Sequence, residues 1–274
     1  MNENLIVIKA QDKFHWHDLL DLLKYRELLY FLTWRDLKVR YKQTIVGVAW
    51  VLFQPLISMV IFTIFFGNFA KLPTDGAPYP IFVFIGLLFW QFFSSSLADI
   101  SNCLINNQHI ITKVYFPRII LPLSLILTRF VDFLVALVIL LVLMIYYGIV
   151  PSLTGVLVFP FLCFVSALAS LGLGLFFASL NVRYRDVRFI LPFFIQMLMF
   201  VTPVVYSSSI IGRHSWLLAI NPLAGVIKTA RSEFLHSYST NWLQFSLSAL
   251  ACVLICLIGW WQFRKAERYC VDNL

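Results

Sequence analysis

Residues 34–57 read WRDLKVRYKQTIVGVAWVLFQPLI, and this stretch decides the class of the fold. Arg35, Lys38, Arg40 and Lys42 crowd together, and an apolar run containing Trp50 begins at Ile45. The run continues to about residue 69. Its length of roughly 25 residues exceeds the ~20 that a helix needs to cross a ~30 Å hydrocarbon core. It is also longer than the roughly 7–15 apolar residues of a secretory leader, so it is expected to remain in the mature chain as a span. A cationic cluster set against a membrane-length segment can sit among anionic headgroups and fix the direction in which that segment is threaded.

Composition places the rest of the chain in the same class. Of 274 residues, 61% are hydrophobic and only 12% charged, and the mean hydropathy is +0.85. Soluble domains carry about 25% charged residues, so this is an integral membrane protein. The net charge of +8 then points to cytoplasmic loops rather than to nucleic acid. The five cysteines contain no C-x-x-C pair and read as small packing residues.

Six apolar segments emerge, at about 45–69, 81–103, 119–147, 155–180, 188–206 and 242–263, separated by Pro, Gly and charged breaks. Residues 1–44 form a polar tail whose part from 17 to 42 reads as a helix lying on the membrane surface, and 264–274 form a second polar tail. Sixteen Lys and Arg fall in the two tails and in loops 104–118 and 181–188, against four on the other side. Both termini and these loops are therefore expected in the cytoplasm. The fold expected is all-α, with six transmembrane helices in one domain over 45–263.

The motifs that are absent narrow the function. None of the 11 glycines precedes a lysine, so there is no phosphate loop of the G-x-x-x-x-G-K type. Neither G-x-S-x-G nor H-E-x-x-H occurs, and His15, His17, His109, His214 and His236 are scattered among loops. No metal site and no catalytic set can be assembled. Arg129 and Asp132 lie three apart on the third segment, share a helix face and are expected to pair within the membrane. Gln54-Pro55 interrupts the first segment. Ser166, Ser170, Gly174 and Ala178 recur every four residues and make a smooth face for a second helix. Flat rings can stack on sugar faces without a fixed register. For a sugar-polymer cargo, the rings placed to line a path are Trp50, Phe53, Phe62, Phe65, Trp90, Phe92 and Phe93.

Four stretches together, RDLKVRYKQTIVGVAWVLFQPL (35–56), KVYFPRIILPLS (113–124), NVRYRDVRFILPFFIQ (181–196) and TPVVYSSS (202–209) with NPLAGVIKTAR (221–231), resemble one family. It is the membrane subunits of type-2 ABC exporters, and more narrowly the permeases for O-antigen, capsular polysaccharide or teichoic acid. The resemblance covers nearly the whole chain from about residue 20. It implies a channel-forming permease with no chemistry of its own, built from two copies of this chain and two copies of an ABC ATPase subunit that binds ATP and Mg. The cargo implied is a lipid-linked polysaccharide, and the location implied is the bacterial cytoplasmic membrane.

Residue by residue, the resemblance maps an interface helix onto 17–42. It maps an ATPase-docking loop onto 104–118 with Lys113, Phe116, Pro117 and Arg118, and a second onto 181–188 with Arg183, Tyr184, Arg185, Asp186 and Arg188. A re-entrant outer gate maps onto 203–236 with Pro203, Tyr206, Asn221 and Pro222. Arg35 and Arg40 are expected to meet the pyrophosphate of an entering substrate. The alternatives are an ABC permease for a small lipid or drug, a membrane enzyme acting on polyprenyl sugars, and an ion-driven transporter. The last would show more intramembrane carboxylates and internal repeats.

Overall fold

The computed structural model describes residues 24–42, 45–184, 186–210, 218, 221–235 and 240–273, with backbone alone at 42, 45–48 and 268–273. Expectations placed on 17–23, on Arg185 and on the remainder of 211–220 and 236–239 lie outside the described residues. Within them every regular element is helical: α1 (Arg26–Lys42), α2 (Ile45–Phe62), a π-helical turn (Thr63–Phe69), α3 (Tyr79–Asn106), α4 (Gln108–Ile111), α5 (Ile120–Tyr147), α6 (Leu153–Arg183), α7 (Val187–Val201), α8 (Pro222–Leu235) and α9 (Trp242–Asn273).

Helix α3 is the axis of the bundle. Ile81, Phe82, Val83, Phe84 and Ile85 are consecutive and all buried, so every face of the helix is covered. A helix apolar all round behaves this way only when other helices surround it. Helices α5 and α6 flank it, and Phe89, Phe92, Phe133 and Phe159 form a ring-to-ring core with centroid separations of 5.3–6.2 Å. The serine and glycine face of α6 does what its spacing suggests. Ser166, Ser170 and Ala178 are buried, and a Cβ on Gly174 would meet Ile100 of α3 at 2.6 Å. Gly172, on the adjoining face, lets α9 approach backbone to backbone, since a Cβ on Gly259 would lie 2.0 Å from the Gly172 carbonyl oxygen.

Helix ends are closed by local chemistry. Gly148, at φ +66°, ends α5 in a Schellman motif, with Ile149 N–H on Met144 O at 2.9 Å and Gly148 N–H on Ile145 O at 3.1 Å. Ser152 caps α6 by accepting the Gly155 N–H at 2.8 Å.

Among the described residues, five helices are long and apolar enough to cross a membrane: Ala49–Phe69, Tyr79–Asn106, Ile120–Tyr147, Leu153–Arg183 and Trp242–Glu267. These correspond to five of the six expected segments. The segment read as 188–206 yields only the 15-residue helix α7, about 22 Å long, because Thr202 is extended and Pro203 follows it. Helix α2 and helix α7 stand at the edge of the bundle. Trp50, Phe53, Ile57 and Val60 are exposed on the first, as are Ile64 and Phe65 on the π-helical turn that continues it, and Leu191 is the one buried residue of the second.

Candidate functional site

One end of the bundle, here called the basic end, gathers α1, the end of α3, the loop into α5, the turn between α6 and α7, and the last turns of α9. Leu32 of α1 is buried there with Leu104, Phe116, Ile119, Leu175 and Phe263. The loop between α3 and α5 is anchored from within. Phe116 is 5% exposed, and Arg118 donates to the Glu267 carbonyl of α9. Both residues, expected at the docking loop, tie that loop to the bundle. The outward knob is Tyr115, 83% exposed, beside Val114 and Lys113. Pro117 is half-buried between them.

The turn between α6 and α7 leaves Arg183, Tyr184, Asp186 and Arg188 exposed, with the Arg188 guanidinium 5.1 Å from the Phe189 ring centre. Two loops far apart in the sequence therefore present aromatic and charged side chains at the same end of the molecule.

Arg35 and Arg40, expected to meet a pyrophosphate, each have an acidic partner within the folded chain. Arg35 pairs with Asp36 at 2.7 Å and donates to Asn107 Oδ1 at 3.2 Å. Arg40 and Tyr41 both donate to the Asp132 carboxylate, and Arg40 lies 3.7 Å from Asp99. The expected pair of Arg129 and Asp132 is present at 3.3 Å, but it is the weaker half of a larger set, since Arg129 also donates to Asp99 at 2.6 Å. Burial, reinforced by the hydrogen bond to Asp132, pushes the Tyr41 phenol well above its ordinary range, so it remains a donor.

The aromatic expectation divides. Trp50 and Phe53 on α2 and Phe65 on the π-helical turn after it are exposed, while Phe62 is half-buried and packs on Phe66 at 5.8 Å. Trp90, Phe92 and Phe93 are 5%, 4% and 2% exposed. They pack in the interior of the bundle rather than on an open face of this chain.

At the opposite end, Tyr206 donates to the last carbonyls of α7 at Phe200 and Val201, 3.1 and 3.3 Å away. Asn221 bonds Thr202 Oγ1 at 2.9 Å and caps α8 by accepting the Leu223 N–H at 3.0 Å. Pro222 opens α8, and the Pro203 carbonyl accepts from Arg231 at 2.8 Å. Among the described residues, no three His, Cys, Asp or Glu side chains converge as a metal site.

Residues 27–235 match the sequence model of the family described as ABC-2 type transporter. The chain belongs to that family. Among its relatives is an O-antigen export system permease protein RfbA from Klebsiella pneumoniae, 30% identical over 242 residues, covering 88% of this chain and 92% of the relative. A protein of the same name from Myxococcus xanthus is 30% identical over 241 residues, covering 87% and 91%. A polysialic acid transport protein, KpsM, from Escherichia coli is 24% identical over 242 residues, covering 85% and 91%. The family match takes in α1 through α8, and so includes both basic-end loops and the charge cluster.

Three relationships are not legible in the sequence. Asp99 sits 30 residues from its partner Arg129, and no spacing links them. Arg231 counted only as a charge on the less basic side. Tyr115 was passed over for its neighbours, although four exposed residues in a row (112–115) before a buried Phe are the signature of a projecting turn.

Proposed function

We propose that this chain is the permease subunit of an ATP-driven exporter that moves lipid-linked polysaccharide, O-antigen-like or capsule-like, across a bacterial cytoplasmic membrane. The observation that carries this reading is near-full-length similarity, at 30% identity, to proteins named as O-antigen export permeases. The basic end is the cytoplasmic end, in keeping with the placement of Lys and Arg. It receives a separate ABC ATPase on the exposed Lys113, Tyr115, Tyr184, Asp186 and Arg188, and that partner supplies the ATP and Mg chemistry. A second copy of the chain covers the open faces of α2 and α7, because one bundle with a filled core has no room for a polymer. Trp50, Phe53 and Phe65 then border the path between the two copies. With the turn up to Tyr206, α7 makes the sixth crossing. Helix α8 makes a half-crossing shielded by α3, α6 and α9, and so escapes the cost of irregular backbone facing lipid.

The test is purification of the chain from its native membrane, with its deletion strain assayed for surface polysaccharide. The expected result is a stoichiometric ATPase subunit in the preparation, vanadate-sensitive ATP hydrolysis, and internal accumulation of lipid-linked polymer in the deletion strain. Normal surface polysaccharide in that strain would set the reading aside. It would leave the small-lipid permease as the next to test.

A further inference from the structure

Charged groups from three distant stretches of sequence meet at one point. Arg40 and Tyr41 come from the last turn of α1, Asp99 from α3, and Arg129 and Asp132 from α5. Asp99 lies seven residues before the end of α3 and Asp132 twelve residues after the start of α5, so the cluster sits roughly 10–18 Å along helices read as spans. The side chains of Arg40, Asp99, Arg129 and Asp132 are only 14–27% exposed.

The charge balance is informative. Arg129 with Asp99 and Asp132 would carry a net charge of −1 in apolar surroundings. Arg40 brings the sum to zero, and it is contributed by the surface helix rather than by the bundle. Withdrawing α1 therefore exposes an unmatched carboxylate, which is disfavoured there and draws Arg40 back.

The same helix is fastened a second time, five residues earlier. Arg35 reaches Asn107 at 3.2 Å, and Leu32 is buried in one cluster with Phe116 and Ile119 of the loop that precedes α5. That loop carries the exposed Tyr115. Helix α1 thus has one grip on the projecting loop and another on the interior of two spans, and α2 begins three residues after it ends.

We propose that the Arg40–Asp132 ion pair, closed by Tyr41 and balanced by Arg129 and Asp99, is the joint through which displacement of the ATPase-facing loop is passed by α1 into α3 and α5. This rests on the reading that an ATPase docks on that loop. The pair is a coupling contact and touches no substrate. Its two states are closed, with the cluster neutral, and open, with the cluster at −1, which is the bistable element that such transmission needs.

The experiment uses the chain assembled with its ATPase subunits in cells, and then purified in lipid nanodiscs. Three quantities are read: ATPase recovered per permease, ATP hydrolysed per assembled complex, and surface polysaccharide per assembled complex. Arg40→Gln and Asp132→Asn are expected to retain the ATPase at the wild-type ratio and to keep hydrolysis within about twofold, while export per complex falls at least tenfold. The exchanged pair, Arg40→Asp with Asp132→Arg, keeps the cluster neutral and is expected to restore export to within about threefold of wild type. Tyr41→Phe, which removes a single hydroxyl, guards against failure of the charge variants to fold. It is expected to lower export per ATP several-fold.

Export per assembled complex that stays at the wild-type level in Arg40→Gln, or in Tyr41→Phe if the charge variants do not assemble, overturns the proposal and leaves a purely structural cluster. So does an exchanged pair that assembles but exports no better than either single variant. Recovery of wild-type chain with no ATPase, even after crosslinking, defeats the proposed function itself and this coupling with it. That outcome is read from the wild type alone, and so is distinct from failure of the joint.

Discussion

Arg231 engages Phe82 twice, with its guanidinium carbon 3.6 Å from the ring centre and its Nε donating to the Phe82 carbonyl at 3.1 Å. The same side chain, 2% exposed, also donates to the carbonyls of Pro203, Val204 and Tyr206. It thereby pins the irregular segment after α7 to the central helix α3, and Gly86 opens the space it occupies. A planar fork of five donors suits this task, and a lysine would not reach the same set.

Replacing Arg231 by Met is expected to destabilise the folded chain by about 3 kcal/mol or more, since several buried carbonyls lose a charged donor at once. Gly86→Ala attacks the same contact from the other side. Its Cβ would lie 2.6 Å from both Arg231 Nη2 and the Val204 carbonyl oxygen. The expected loss is about 1–3 kcal/mol. Thermal unfolding in detergent, followed by intrinsic fluorescence, measures both.

Tyr115 and Phe116 are neighbours with opposite duties. Phe116→Ala empties a buried site and should cost roughly 3–5 kcal/mol of stability. Tyr115→Ala should leave the melting temperature unchanged and reduce the ATPase recovered with the chain at least fivefold. Pull-down and melting curves on the same two preparations separate the outcomes, and unchanged recovery in Tyr115→Ala would remove that residue from the docking surface.

Two glycines give a paired test of close approach against backbone strain. Gly259→Ala drives a methyl against the backbone of Gly172, and neither helix can yield without parting α6 from α9. The expected cost is about 3 kcal/mol, at the upper end of overpacking. Gly148→Ala meets open space and is penalised only for its φ of +66°, by roughly 1 kcal/mol. A ranking of melting temperatures in the order wild type, Gly148→Ala, Gly259→Ala checks the argument.

Ser152 serves two groups, as cap for the Gly155 N–H and as a donor to the buried Glu233 carboxylate at 2.8 Å. Ser152→Ala is expected to cost about 2 kcal/mol, near the top of the range for a lost cap. Chemical denaturation in mixed micelles would show it.

The Tyr41 phenol has a folded pKa raised above its ordinary value near 10. A group shifted upward contributes stability that is complete below the unfolded pKa and is lost as pH rises through the folded one. The stability difference between wild type and Tyr41→Phe should therefore be constant from pH 7 to 10 and shrink only above that. Melting curves across this range test the sign.

The sequence by itself determined the membrane class, the helical fold, the place of most spans and the end of the molecule where positive charge collects. Each is a local property. Apolar length, the Gly148 and Pro breaks, the small-residue face from Ser166 to Ala178 and the Lys and Arg count are all read within one helix or one loop. Tertiary structure alone decided which of these side chains are available. Nothing local distinguishes Phe92 and Phe93, shut inside the bundle, from Phe53 and Phe65, open on α2 and the turn that continues it, because aromatic residues suit a packed core and a lipid or substrate face equally. Nothing local joins Arg40 to Asp132, since a separation of 92 positions carries no periodic relation. An ion pair of that separation exists only once α1 has been laid across α5. The same holds for Arg231, whose charge looks misplaced along the chain until four carbonyls from two other segments converge on it.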